Sequence, residues 1–210
     1  MVRKVAAEFI GSALLLMAIV GSGIMAQSQT GDSGLQLLIN AVSTILALFL
    51  LISLITPISG AHFNPVVTLY SRAQGKSTNQ ELLMYVVAQF LGGAVGVIIA
   101  NLMFSKAAID LASTSRTGVG QFIGEVVATV GLLAIIAMKS ERAALLVPAW
   151  IGSAFFFTSS TSFANPAVTV SRTLSDTFTG IAPGSIPQFV GAQLLALALV
   201  LGIRKLVKGS

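Results

Sequence analysis

Cysteine is absent from the chain. That excludes a disulfide framework, a thiolate metal site and a thiol nucleophile. Histidine occurs once, as His62, so no His-based metal cluster or nucleophile–base set stands at usable spacing. An enzyme, a metal and a cofactor are therefore not expected. Charge is also scarce: 9% of the 210 residues are charged and 55% are hydrophobic, against about 25% charged in a soluble domain. Such a chain cannot cover a water-facing surface. A net charge of +5 is no argument for nucleic acid, because the basic residues fall in short loops and tails, as membrane topology requires.

What the chain does have is long apolar runs and 20 glycines; small residues let helices approach closely in lipid. A spanning helix needs about 20 apolar residues. Six segments fit, approximately Val5–Ala26, Leu35–Ile58, Leu82–Phe104, Phe122–Met138, Ala143–Ser160 and Ile186–Val207. The first follows Arg3-Lys4 but is too long for a signal-peptide core and carries Glu8. If the N-terminus lies inside, the inner segments hold nine Lys and Arg and the outer ones three, Lys106, Arg116 and Arg172. That bias predicts cytoplasmic termini at both ends in the plasma (inner) membrane.

One stretch occurs twice. Ser59-Gly60-Ala61-His62-Phe63-Asn64-Pro65-Val66-Val67-Thr68 is echoed by Ser162-Phe163-Ala164-Asn165-Pro166-Ala167-Val168-Thr169, with the two Asn residues 101 apart. Asn is a good N-cap, and Pro is favoured at the first helical position. Each copy therefore reads as the start of a short helix inside an apolar setting. Glu8 is paired with Glu125, and Gln89-Phe90-Leu91-Gly92 with Gln188-Phe189-Val190-Gly191. The chain reads as one domain, 1–210, built from two units of three spans, about 1–105 and 118–210. An odd number of spans inverts the second unit relative to the first, which puts a site near the midplane. Irregular backbone at that depth is tolerated when it is buried or lines a wet cavity. Two half-helices would meet there N-terminus to N-terminus, placing positive potential on the axis and two Asn amides beside any passing solute. The predicted fold is all-α: six transmembrane helices plus two re-entrant half-helices in an inverted repeat.

The paired motifs Asn64-Pro65-Val66 and Asn165-Pro166-Ala167, with six spans, Glu8, Glu125 and Gln89, resemble the aquaporin and aquaglyceroporin family across essentially the whole chain. The resemblance implies a homotetramer with one pore per subunit and passive conduction of water or small uncharged solutes. It also implies a four-position filter, from which this chain departs. The usual Arg three residues after the second Asn is Val168, and counting back from Asn64 puts Thr44 where an aromatic is usual. The fifth-span position is Ser159 counted from Pro148, or Ser153 counted from Asn165, and Ser162 is a candidate for the fourth. That set is wide, uncharged and modestly polar. It predicts passage of glycerol, urea or neutral metalloid hydroxides such as arsenous acid; Val in place of Arg resembles a bacterial subgroup associated with metalloid transport. A secondary transporter and a non-conducting structural homologue are the alternatives.

Other polar residues have plain roles. Glu8 and Glu125 are expected to accept hydrogen bonds from the loop backbones, and His62 to brace the first loop by a backbone hydrogen bond. Arg72 and Arg172 are expected at half-helix C-termini, with Arg172 alternatively supplying part of the missing filter charge. Phe155-Phe156-Phe157 reads as core packing and Trp150 as an interfacial anchor.

Overall fold

The structure is a computed structural model that describes residues 1–138 and 140–209; Lys139, one of the nine inner charges, lies outside them. The helices are α1 (Val2–Gln29), α2 (Ser33–Ser59), α3 (Pro65–Ala73), α4 (Asn79–Met103), α5 (Val119–Ala137), α6 (Ala143–Phe157), α7 (Pro166–Ser171) and α8 (Ile186–Gly209). Short 3₁₀ turns occupy Arg172–Leu174 and Pro183–Ser185, and the described residues contain no strand.

All six predicted spans form helices, and five of them are long and apolar enough to cross a membrane. The exception is α6, at 15 residues. It was expected to reach Ser160 but ends at Phe157, because the chain becomes extended at Thr158 and turns inward. Helix starts follow their local chemistry. Asp32 caps α2 by accepting from the Leu35 amide at 2.8 Å. Thr78 and Glu81 form a reciprocal capping box on α4.

α1 packs against α4 closely enough to exclude side chains. A Cβ on Gly92 would lie 2.2 Å from the Phe9 carbonyl oxygen, and one on Gly96 would lie 2.1 Å from that of Ala13. The outer faces of the spans carry large exposed apolar residues such as Leu46, Leu54, Leu91 and Leu194, as a lipid-facing surface requires.

Trp150 sits in mid-α6 rather than at an interface. Its ring fills the space over Gly131 of α5, and Nε1 donates to the Ala128 carbonyl at 2.8 Å. The Phe run is also split. Phe155 is buried, whereas Phe156 and Phe157 are exposed, because consecutive helical residues point about 100° apart.

Candidate functional site

Both half-helices start at the motif Asn, as predicted. Asn64 Oδ1 accepts from the Val66 amide at 2.9 Å, and Asn165 Oδ1 from the Ala167 and Val168 amides at 2.9 and 3.3 Å. The two loops are tied across the axis. Asn64 Nδ2 donates to the Ala164 carbonyl and Asn165 Nδ2 to the Phe63 carbonyl, each at 2.8 Å. An amide nitrogen carries two hydrogens, so each Asn retains one donor for the cavity that both residues line.

Each loop is held by a buried carboxylate. Glu8 accepts from Ser59 Oγ at 2.6 Å, the His62 and Phe63 amides at 2.9 and 2.7 Å, and Gln89 Nε2 at 2.8 Å. Glu125 accepts from Ser160 Oγ at 3.0 Å, the Phe163 and Ala164 amides at 2.9 Å, and Gln193 Nε2 at 2.6 Å. These bonds support left-handed backbone at non-glycine residues: Ala61 and Phe63 in one loop (φ 51° and 48°), Ser162 and Ala164 in the other (φ 53° and 47°). Such conformations cost of order 1–3 kcal/mol each, which the carboxylate anchors offset.

The partner of Glu125 is Gln193; Gln188, which the repeated string matched to Gln89, is hydrogen-bonded to Gly118. Gln89 also donates to Thr68 Oγ1 and Gln193 to Thr169 Oγ1, both at 3.0 Å. The correspondence between the halves is thus Glu8–Gln89–Thr68 with Glu125–Gln193–Thr169. The His62 backbone N–H donates to Glu8 Oε1, and its ring makes a contact between Nδ1 and Thr68 Oγ1 at 3.2 Å.

The cavity, of about 280 Å³, runs from Tyr70, Lys76 and Ser140 on the side of the chain termini, past the Asn pair, to Val168 and Arg172. Gly60, Ala61 and His62 line it, and their carbonyls accept no hydrogen bond among the described residues, leaving acceptors along the path. Thr44, Ser162 and Val168 line it too. Thr44 Oγ1 and Ser162 Oγ are buried with no partner among the described residues. Ser159 does not join them. It is exposed beyond the end of α6, near Gly120 of α5, and Ser153 is exposed and donates to the Ala149 carbonyl. The face that α6 turns to the cavity is Val147, Ile151 and Phe155, spaced one helical turn apart.

Val66 and Ala167 are fully buried where α3 meets α7. Arg72 lies in the last turn of α3, and its Nε donates to Asn79 Oδ1 at 2.6 Å. Arg172 stands at the end of α7, one turn beyond Val168, with its guanidinium 3.6 Å from the Phe163 ring centroid.

Comparison with known proteins agrees with this geometry. Residues 1–164 match the model of the major intrinsic protein family. The aquaglyceroporin AqpS of Rhizobium meliloti is 42% identical over 207 residues, covering 97% of this chain and 89% of that one. An aquaporin TIP1-2 of Zea mays is 35% identical over 62% of this chain and 54% of its own. The crystal structure of the aquaglyceroporin from Plasmodium falciparum superposes with a TM-score of 0.66 at 19% identity, covering 100% of this chain and 99% of that one.

Proposed function

The chain belongs to the major intrinsic protein family, and from that premise we propose that it passes glycerol, urea and neutral metalloid hydroxides as well as water, through a filter without a guanidinium at position 168. Members of the family are channels rather than enzymes, and this chain is a multi-pass membrane protein for passive movement of water and small solutes.

The observation that carries the wider selectivity is the environment of Val168. It lines the cavity together with Thr44 and Ser162, whose hydroxyls have no partner among the described residues. An Arg there would narrow the path and bring up to five donors; Val brings a short apolar wall. Phe155 takes the α6 side of this constriction in our reading, in place of Ser159. The free hydroxyls and loop carbonyls then form a polar edge facing an apolar one, which suits a solute with hydroxyls on a small carbon or metalloid centre. The AqpS relative is named an aquaglyceroporin, which fits this class.

The facing half-helices and the tied Asn pair disfavour cations and interrupt a proton-conducting water chain. The working form is a homotetramer with one pore per subunit, in the plasma (inner) membrane with both termini cytoplasmic. The units 1–105 and 118–210 act as one inverted repeat.

Stopped-flow light scattering on proteoliposomes tests the filter. Glycerol and urea flux should be fast, and Val168→Arg should lower it by about tenfold, or ~1.4 kcal/mol of barrier, with a smaller loss of water flux. Fast water flux with negligible solute flux in the wild type would refute the reading.

A further inference from the structure

A second cavity, also about 280 Å³, opens on the face opposite the termini, lined by Ser33, Gly34, Asn40, Thr161, Arg116 and Arg172. Arg172 lines this cavity and the pore cavity alike, so the two share one wall.

Arg116 is brought there by the loop between α4 and α5. That loop lies along the segment after α7, with the Asp110, Ala112 and Ala182 amides bonded to the Leu174, Thr173 and Thr114 carbonyls. Arg116 then donates from Nε and one terminal nitrogen to the Gly180 and Phe178 carbonyls at 2.8 and 2.9 Å. Burial lowers its pKa from the ordinary value. Arg172 is 3% exposed, and its Nε donates to the Thr179 carbonyl. Its two terminal nitrogens have no hydrogen-bond partner among the described residues. Both guanidinium groups lie against one ring, 5.5 and 3.6 Å from the Phe163 centroid.

No carboxylate pairs with either Arg among the described residues. Two of the acidic groups nearby are engaged elsewhere, Glu125 with its loop and Asp176 with Ser113, while Asp32 caps the start of α2 itself with its carboxylate on the Leu35 amide. The cavity also touches the first turn of the 27-residue α2. There the Ser33 and Gly34 amides have no acceptor among the described residues. Buried cations need a counter-charge or strong acceptors, and a helix start adds positive potential and free N–H groups.

We propose that this cavity binds a small tetrahedral oxoanion between Arg116, Arg172 and the start of α2, and that its occupancy closes down the pore mouth on that face. A bound anion would draw the terminal nitrogens of Arg172 away from the solute path and place a charged, hydrated group beside it. The closing effect rests on the channel reading above; the binding does not.

Isothermal titration of the full chain in nanodiscs with potassium sulfate, at constant ionic strength set with potassium chloride, tests the binding. Saturable binding is expected, weakened at least about tenfold, or ~1.4 kcal/mol, in Arg116→Gln and in Ser33→Asp. Ser33 is exposed at the first position of α2, where Asp suits a helix, so that variant folds and puts a like charge against the anion. No saturable binding, or wild-type affinity in Ser33→Asp, overturns the site. In proteoliposomes, sulfate on the Arg116 face should slow glycerol flux with the same half-saturating concentration. Binding without slowing overturns the control of the mouth. Absence of flux before sulfate is added overturns the channel reading and leaves the titration result standing.

Discussion

Replacing Glu125 by Gln removes one charge and no volume, so its consequence can be worked out from the hydrogen bonds alone. The carboxylate accepts four: from Ser160 Oγ, the Phe163 and Ala164 amides, and Gln193 Nε2. A Gln side chain keeps one acceptor oxygen and turns an NH₂ toward the other two donors. Gln193 can adapt, because its own Oε1 has no partner among the described residues; turned over, it accepts from the new amide and gives up Thr169 Oγ1. The Ala164 amide cannot turn. It becomes a buried donor facing a donor, a cost of about 1–3 kcal/mol, and the surviving bonds drop from charged to neutral strength at about 1 kcal/mol each. Relief from holding a buried charge offsets part of this, leaving a net loss of about 2–4 kcal/mol. For a chain of this length that is a fall in Tm of roughly 5–15 °C. Ala164 also sits at φ 47° and supplies the carbonyl that holds Asn64, so solute flux should fall with stability. Thermal unfolding in detergent and stopped-flow flux read the two effects, with the exposed Glu141→Gln as a control. A Glu125→Gln protein with unchanged Tm and flux would refute the view that this carboxylate anchors the loop.

Three further outcomes follow from particular contacts. Gly96→Ala should destabilise the fold by about 1–3 kcal/mol or more, because its Cβ meets the Ala13 backbone at 2.1 Å, whereas Gly191→Ala, with nothing within 4 Å, should be neutral; thermal unfolding of both variants checks this. Thr78→Ala should lower stability by about 1 kcal/mol through loss of the α4 cap, seen as a small drop in Tm without change in solute selectivity. Thr44→Phe should reduce glycerol and urea flux more than water flux, since Thr44 lines the cavity where a ring would narrow it; an equal loss of all three would place the constriction elsewhere.

The sequence carried the helices and the Asn pair openly, because lipid demands long apolar runs and Asn-Pro is a strong local helix start. Glu8 and Glu125 were legible for the same reason, as charges in segments that otherwise have none. The Gln partner of Glu125 was missed. The string Gln-Phe-x-Gly matched Gln188 to Gln89, while the shorter Ala-Gln pair, Ala88-Gln89 and Ala192-Gln193, carries the spatial correspondence. Ser159 was misplaced because counting forward from Pro148 runs past the end of α6 at Phe157, and Ser153 because counting back from Asn165 through a loop says nothing about helix phase; the apolar spacing of Val147, Ile151 and Phe155 did hold that phase. Arg172 stands one helical turn after Val168, so its place on the same wall was readable. Arg116 was not. It reaches Phe163 through a loop that docks on the segment after α7, and no local pattern announces a contact between residues so far apart in the chain.

The length of α6 bears on the membrane itself. Fifteen residues rise about 22 Å, against a hydrocarbon layer of about 30 Å. The neighbouring spans are longer, so lipid beside α6 must thin or the helix must be shielded by adjacent protein, at fractions of a kcal/mol for each ångström of mismatch. Because α6 also supplies Phe155 to the cavity wall, a change in acyl-chain length is expected to be felt at that wall, and solute flux compared across bilayers of different thickness would show it.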